Sequence, residues 1–235
     1  MIDTAFRYCQ RSPLIHMDMS EAIRRGKANI LYAADDGLLI FDTIANNLLL
    51  SCQSEQSAKK LCGLIDKSKC YSMVVRGEGA LEVAMDKFAF SHNNTCYQCA
   101  YLKHERLPVQ LEDDVRALEL RFIPQILEHY HTVTDPKYFE ERIGAGEMFG
   151  LFKKGTDELM GFVGLHDDGS GGMLEIFPQH RRHGLGAGLE SYIINVQLDR
   201  GYTPYGQIFC DNDKSIALQK KLGLEVSTEV LHWIF

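Results

Sequence analysis

A basic, glycine-rich stretch carries the residue types and spacing best suited to chemistry. It spans residues 178–188, which read PQHRRHGLGAG, and it follows an apolar segment, 173–177. Apolar residues then recur at helical spacing, at Leu185, Leu189, Tyr192, Ile193 and Val196. The pattern predicts a strand, a turn and the start of a helix. Because the first N–H groups of a helix have no partner within it, and glycine lets a ligand approach them, the stretch suits a pyrophosphate.

Two common nucleotide-binding patterns do not fit this stretch. The dinucleotide fingerprint G-x-G-x-x-G requires a third glycine where this chain has Leu189. The P-loop pattern G-x-x-x-x-G-K-[ST] is absent from it. The stretch does match R-x-x-G-x-G, from Arg181 to Gly186. The alternative interpretation is an ordinary strand–turn–helix connection, in which the glycines serve geometry alone.

A second motif follows at the end of the chain. Residues 205–210 predict a strand, and the helix after it begins at a capping residue, Asn212, and ends at Gly223. Together the two motifs closely resemble the signatures of the GCN5-related N-acetyltransferase (GNAT) superfamily. Its second signature, N-x-x-[SA]-x-x-L-Y-x-K-L-G-F, is matched here at Asn212, Ser215, Leu218, Lys221, Leu222 and Gly223, with Gln219 and Leu224 as departures.

The resemblance implies an acyl-coenzyme A co-substrate, in the first place acetyl-CoA, and no metal. Backbone amides from His183 to Ala187 would hold the diphosphate, helped by Arg181 or Arg182. The pantetheine arm would lie in a gap between the strands 173–177 and 205–210. The residues expected to bind coenzyme A are Ile176, Phe177, Arg181, Arg182, His183, Gly184, Leu185, Gly186, Ala187, Asn212 and Ser215.

The resemblance also implies direct transfer in a ternary complex. The N–H group of Ile176 or Phe177 would donate to the thioester oxygen, where one preorganised hydrogen bond contributes about 3 kcal/mol in the transition state. Glu175 is the candidate base for the acceptor amine, directly or through water. A structural or solvent-facing role for this carboxylate is the alternative. His166 is a second candidate base, and His232 is a candidate lining of the acceptor pocket.

The departing thiolate is the least certain part of the predicted mechanism. Many members of the superfamily have a tyrosine where this chain has Gln219. A carboxamide donates hydrogen bonds but is not an acid near neutral pH. Either the thiolate leaves without an enzyme acid, or one of three other groups serves, namely Tyr202, Tyr205 or Cys210.

Composition limits the classes of partner. The net charge of −7 argues against a large nucleic-acid surface. No run is long enough for a membrane span, and no signal peptide is apparent, so we expect a cytoplasmic protein. The pair Cys96 and Cys99 lacks the second pair of a zinc site, and no metal is expected. The expected partner is a small-molecule amine, and the chain is expected to be a monomer or a homodimer.

The sequence predicts two halves with one plan. Residues 113–235 predict the order β-α-α-β-β-β-α-β-α-β, the acetyltransferase fold, an α/β (α+β) fold with a mixed, mostly antiparallel sheet. Residues 1–107 repeat this order in degenerate form, although an unrelated α/β cap is the alternative. At the position of the phosphate loop, residues 51–56 have no glycine and no arginine, so they should not hold a pyrophosphate. A silent first half beside an active second half resembles the glycine N-acyltransferase branch.

Three functions remain open at this stage. The first is transfer of an acyl group, most simply acetyl, from coenzyme A to a primary amine of a small molecule. The second is a glycine-type amino-acid N-acyltransferase that uses larger acyl groups. The third is a coenzyme A-binding sensor without turnover, which the substitution at Gln219 favours.

Overall fold

The computed structural model describes residues 1–235, apart from the side chain of Lys69. The helices are α1 (Ile2–Cys9), α2 (Met17–Arg24), α3 (Glu55–Gly63), α4 (Ala80–Phe88), α5 (Ile123–His129), α6 (Pro136–Gly144), α7 (Leu185–Asp199) and α8 (Asp213–Lys221). The strands are β1 (Ala28–Ala34), β2 (Gly37–Asp42), β3 (Asn47–Cys52), β4 (Met73–Gly77), β5 (Asn93–Ala100), β6 (Asp114–Ala117), β7 (Met148–Phe152), β8 (Leu159–Leu165), β9 (Gly171–Ile176), β10 (Tyr205–Phe209) and β11 (Glu225–Ile234). The order α-α-β-β-β-α-β-α-β occurs twice, and β6 precedes its second occurrence.

Local signals place most of these elements where the sequence predicts them. Asp135 caps α6 by accepting a hydrogen bond from the N–H of Lys137, and Pro136 occupies the first turn, where its missing N–H costs nothing. Asn212 caps α8 in the same way. Helix α1 was not predicted from the sequence. Its buried residues are Ala5, Tyr8 and Cys9, and in so short a helix they make a weak periodic signal.

The strands form two sheets. One has seven strands in the order β1-β2-β3-β4-β11-β5-β10, and the other has four in the order β6-β7-β8-β9. All neighbouring strands pair antiparallel except β3 and β4, which are parallel. The predicted mixed, mostly antiparallel α/β fold is therefore confirmed.

The chain divides into two compact units that differ from the predicted halves. The first unit comprises residues 1–100 and 205–235, and the second comprises residues 101–204. The predicted boundary between 107 and 113 misplaces the last part of the chain, because β10 and β11 both pair with β5. Strand β11 also pairs with β4, so it lies between two strands of the first half.

The first unit has a hydrophobic core on each face of its sheet. Helices α1 and α2 cover one core, which includes Tyr8, Met19 and Ile40. Helices α3 and α4 cover the other, which includes Leu50, Leu61 and Val75. Burial of such side chains, each contributing about 1.5–3 kcal/mol, holds the sheet between its helices.

In the second unit, the four-stranded sheet also lies between helices. Phe139, Phe162 and Phe177 belong to a core formed with α5 and α6. Leu189 and Ile193 of α7 pack on the other face. Helix α7 is thereby fixed against the strands that precede the glycine-rich stretch.

The first half has no opening at the position of its phosphate loop. Strands β3 and β4 stay in register to their ends, where Ser51 pairs with Arg76 and Cys52 with Gly77. A Cβ at Gly77 would lie 1.9 Å from the carbonyl oxygen of Cys52, so the two strands approach closely. Ser54 caps α3 with its own side chain. That residues 51–56 hold no pyrophosphate stays a prediction.

Candidate active site

Strand β9 positions the predicted catalytic residues at the edge of the four-stranded sheet. Its register with β8 shifts between Phe162 and Gly164, and Met173 opposite this irregularity has a positive φ of 53°. A β-bulge of this kind bends a strand and increases its twist. Ile176 packs on the α7 side and Phe177 on the α5–α6 side. Because side chains alternate along a strand, Glu175 lies on the α5–α6 side.

Only one of the two predicted amide donors on β9 is available. The N–H of Phe177 donates to the carbonyl oxygen of Met160 at 2.9 Å, so its predicted role as a thioester ligand is wrong in this geometry. The N–H groups of an antiparallel edge strand alternate between its neighbour and its open side. Since Phe177 faces β8, the N–H of Ile176 faces the open edge.

The turn after β9 brings Arg181 back to the strand. Residues Pro178–His180 form a single 3₁₀ turn. The Nε of Arg181 then donates to the carbonyl oxygen of Ile176 at 2.8 Å, and a terminal nitrogen donates to Oε1 of Glu175 at 2.7 Å. Sequence reasoning assigned these two side chains separate roles and missed the ion pair, because a spacing of six residues across a turn has no periodic signal.

A run of free amides follows the turn. Gly184 has a φ of +77° and begins α7 without a side-chain cap. Among the described residues, the N–H groups of His183, Gly184, Leu185 and Gly186 have no hydrogen-bond acceptor. The N–H of Ala187 donates to the carbonyl oxygen of Gly184 at 3.1 Å, so its predicted role as a diphosphate donor is wrong here. The run has the donors and the partial positive charge that favour an anion.

Arg182 and His183 lie beside these amides at the surface. Both residues are exposed. Arg182 has a φ of +68°, which is uncommon for a residue other than glycine. Its guanidinium has no ion pair or hydrogen bond within the part of the chain that the structure describes. Nδ1 of His183 lies 3.3 Å from the carbonyl oxygen of His180.

The carboxylate of Glu175 is partly enclosed, with 21% of its side chain exposed. Tyr130 at the C-cap of α5 interacts with it electrostatically. Burial raises the pKa of the Tyr130 phenol, and the hydrogen bond from Thr132 opposes that shift. The phenol is therefore neutral at physiological pH, and the cation beside Glu175 is Arg181.

His166, the second candidate base, lies at the end of β8. Its Nδ1 is 2.8 Å from the hydroxyl oxygen of Tyr138 on α6. A Cβ at Gly172 would lie 2.6 Å from Nε2, so the ring packs over the first residues of β9. Burial lowers the pKa of His166 and raises that of Tyr138. Both groups are thus uncharged at neutral pH, and the pair packs against the sheet.

Asn212, Ser215, Gln219 and Cys210 lie in the first unit. Oδ1 of Asn212 accepts the N–H of Ser215 at 3.1 Å, which confirms the predicted cap and uses the Ser215 amide. Gln219 is buried on α8. Burial raises the pKa of the Cys210 thiol, which weakens it as an acid.

His232 also lies in the first unit, on β11. Its Nδ1 is 3.2 Å from Oδ1 of Asn93 and 3.3 Å from the hydroxyl of Thr95. Burial lowers its pKa, and the ring joins two strands of one sheet. The second unit thus brings together Glu175, Ile176 and the loop from Arg181 to Gly186, while His232, Asn212 and Gln219 belong to the first.

Comparison with known proteins identifies the fold. Residues 148–234 match the model of the FR47-like protein family. An acetyltransferase of the GNAT family from Colwellia psychrerythraea has a TM-score of 0.54 and 14% identity, covering 100% of this chain and 92% of that one. The fold is that of the GNAT acetyltransferases.

Two further structures have the same fold. A Drosophila protein has a TM-score of 0.62 and 19% identity, and the match covers 84% of this chain and 73% of that one. A tandem GNAT protein from the clavulanic acid biosynthesis pathway has a TM-score of 0.51 and 14% identity, over 99% and 94% of the two chains. No curated protein matches the sequence significantly. No helix among the described residues is both long and apolar enough to cross a membrane.

Proposed function

We propose that the protein is a coenzyme A-dependent N-acyltransferase that transfers an acyl group, in the first place acetyl, to a primary amine of a small molecule. The observation that carries the proposal is the run of free amides at His183–Gly186, which follows the open edge of β9 in a GNAT fold. A diphosphate matches this run because each free amide can donate a hydrogen bond and the start of α7 adds a partial positive charge.

The residues of β9 supply the chemistry of the proposed transfer. The N–H of Ile176 donates to the thioester oxygen and stabilises the negative charge that builds there. Glu175 removes a proton from the acceptor amine, directly or through water. The amine nitrogen forms a bond to the thioester carbon, the carbon–sulfur bond then breaks, and the nitrogen releases its second proton to solvent. The products are an amide and the coenzyme A thiolate.

No tyrosine acid is required in this mechanism. A carboxamide at Gln219 donates hydrogen bonds but does not give up a proton at neutral pH. We propose that the thiolate leaves without an enzyme acid, because a coenzyme A thiol is not strongly basic. The rate should then not fall at high pH through loss of such an acid.

We also propose that the first half is a degenerate acetyltransferase-like half. Continuous pairing of β3 with β4, and the side-chain cap at Ser54, support this interpretation. One acyl-CoA should therefore bind per chain. Isothermal titration that finds two equivalent sites would contradict this stoichiometry.

The buried, free thiols at Cys9, Cys52 and Cys62 suit a reducing cytoplasm.

A thiol-release assay tests the activity and separates its alternatives. Acetyl-, butyryl- and benzoyl-CoA are offered as donors to amino acids, polyamines, aminoglycosides and peptide amines. Release with acetyl-CoA and one amine class supports the proposal. Preference for benzoyl-CoA and glycine would favour a glycine-type enzyme. Tight binding without release across the panel would favour a sensor, and no binding at high micromolar acetyl-CoA would reject all three.

A further inference from the structure

We propose that Arg181 positions the carboxylate of Glu175, and that Arg182 alone supplies the side-chain charge for the diphosphate. The inference rests on the proposed acyl transfer, since it assigns roles within the same site. It separates two adjacent arginines that the motif R-x-x-G-x-G treats together. The separation comes from where each guanidinium lies.

The guanidinium of Arg181 already makes two hydrogen bonds to β9. Nε donates to the carbonyl oxygen of Ile176 at 2.8 Å, and a terminal nitrogen donates to Oε1 of Glu175 at 2.7 Å. Both acceptors belong to β9, five and six residues before the arginine. To bind a diphosphate through these same two nitrogens, Arg181 would have to give up two hydrogen bonds that the protein already satisfies.

The contact has a direct effect on the proposed base. A guanidinium at 2.7 Å holds the Glu175 carboxylate in one orientation. Because Oε1 takes this hydrogen bond, Oε2 is the oxygen left to receive a proton from the amine. Tyr130, the ionisable group that faces Glu175 from α5, is held neutral by burial. Arg181 therefore sets the orientation of the base.

Arg182 differs from Arg181 in its partners, although both residues are exposed. Its side chain is exposed, and its guanidinium has no partner among the described residues. Its positive φ of 68° costs a non-glycine residue about 1–2 kcal/mol, a strain that the surrounding turn imposes. It immediately precedes the free amides of His183 to Gly186. An anion bound by those amides would meet an available guanidinium on the same loop.

Steady-state kinetics of single variants test the two assignments. The donor and amine are the pair that the wild-type protein turns over best. We expect Arg182→Ala to raise the KM for acyl-CoA about tenfold with kcat changed less than twofold, since it removes binding energy common to ground and transition states. We expect Arg181→Ala to lower kcat about tenfold, with little change in that KM. Arg181→Lys, which keeps the charge, should recover part of kcat.

A double-mutant cycle shows whether Arg181 acts through Glu175. If it does, Arg181→Ala should have no further effect on kcat in a Glu175→Gln background, because coupled residues are not additive. Arg182→Ala should keep its full effect in that background. Titration calorimetry with acetyl-CoA should give wild-type affinity for Arg181→Ala, which shows that the loop is still folded.

Three results would overturn the inference. One is an Arg181→Ala variant whose KM for acyl-CoA rises as much as that of Arg182→Ala. Another is an Arg181→Ala effect that multiplies the loss caused by Glu175→Gln. The third is an unchanged kcat for Glu175→Gln. Each of these results can be told apart from a failure of the proposed function, in which the wild-type protein would release no thiol.

Discussion

The side-chain amide of Asn195 hydrogen bonds to both backbone polar groups of Leu107. The N–H of Leu107 donates to Oδ1, and Nδ2 donates to the carbonyl oxygen of Leu107, each at 2.8 Å. Asn195 is 3% exposed and belongs to α7. At the start of the same helix, a Cβ at Gly188 would lie 2.4 Å from Leu111. The segment 107–111 therefore lies along α7 and fastens the helix that begins at the proposed diphosphate site.

Replacing Asn195 should destabilise the protein. We expect Asn195→Ala to lower the free energy of unfolding by about 1–3 kcal/mol, because it leaves the N–H and C=O of Leu107 without partners. Denaturant unfolding measures this change. The matched control is Arg106→Ala, which removes an ion pair with Asp199 whose side chains are 60% and 56% exposed. Such a surface pair should contribute little to stability, because solvent screens it. Equal losses in the two variants would contradict the role of Asn195.

Two glycines that flank α7 allow the effect of backbone strain to be measured apart from the effect on ligand binding. Gly184 and Gly201 have φ values of +77° and +72°, and an added Cβ would meet no atom within 4 Å at either position. Alanine at each should cost a similar stability, about 1–2 kcal/mol, because the left-handed conformation disfavours a side chain.

Only Gly184 lies within the run of free amides, so only Gly184→Ala should weaken acetyl-CoA binding as well. Gly201→Ala serves as the control for the loss of stability. Thermal melts and titration calorimetry measure the two quantities separately. A loss of affinity that is the same in both variants would argue against an amide site at the start of α7.

His16 should make the first unit sensitive to acid. Nδ1 lies 3.0 Å from the carbonyl oxygen of Ser12, an acceptor only, so Nδ1 carries the proton and Nε2 accepts the hydroxyl of Ser51 at 2.8 Å. Burial, and then the charge of Arg76, lower the pKa of His16 to about 4. The unfolded chain, with an ordinary pKa near 6.5, binds more protons between these values. Stability is therefore full above pH 6.5 and is lost as the pH falls towards 4.

The size of this loss can be measured against a variant. The difference between the pKa of His16 in the unfolded and folded chains corresponds to roughly 3 kcal/mol of stability at most. Unfolding free energies of the wild type and His16→Gln, measured from pH 7.5 to 4, should differ in slope over that window. Parallel pH profiles for the two proteins would show that His16 titrates alike in both states.

The predicted C-terminal half should not fold by itself. A fragment of residues 113–235 lacks β5, which pairs with both β10 and β11. It also lacks β4, the other neighbour of β11. We expect residues 205–235 to be unfolded in this fragment, so that circular dichroism shows less secondary structure than these residues have in the whole chain, because β10 and β11 have lost their partners. A full-length chain cleaved after Lys103 keeps every strand and should stay folded. A stably folded fragment would contradict the observed pairing.

Sequence patterns alone determined most of the elements and the location of the proposed anion site. The caps at Asp135 and Asn212, the helical spacing after Gly184 and the apolar strands 159–165 and 173–177 are local signals, since each depends on neighbours within a few residues. The motif R-x-x-G-x-G likewise located the loop that carries the free amides.

Only the tertiary structure decided which groups of that site are available. The amides of Phe177 and Ala187 are bonded within the chain, and Arg181 turns back to Glu175. It also decided that β11 lies between β4 and β5, and not in a sheet with β9. The acceptor of a hydrogen bond and the neighbour of a strand lie far away in sequence or across a turn. Such partners produce no periodic pattern in the nearby sequence, and so sequence patterns do not predict them.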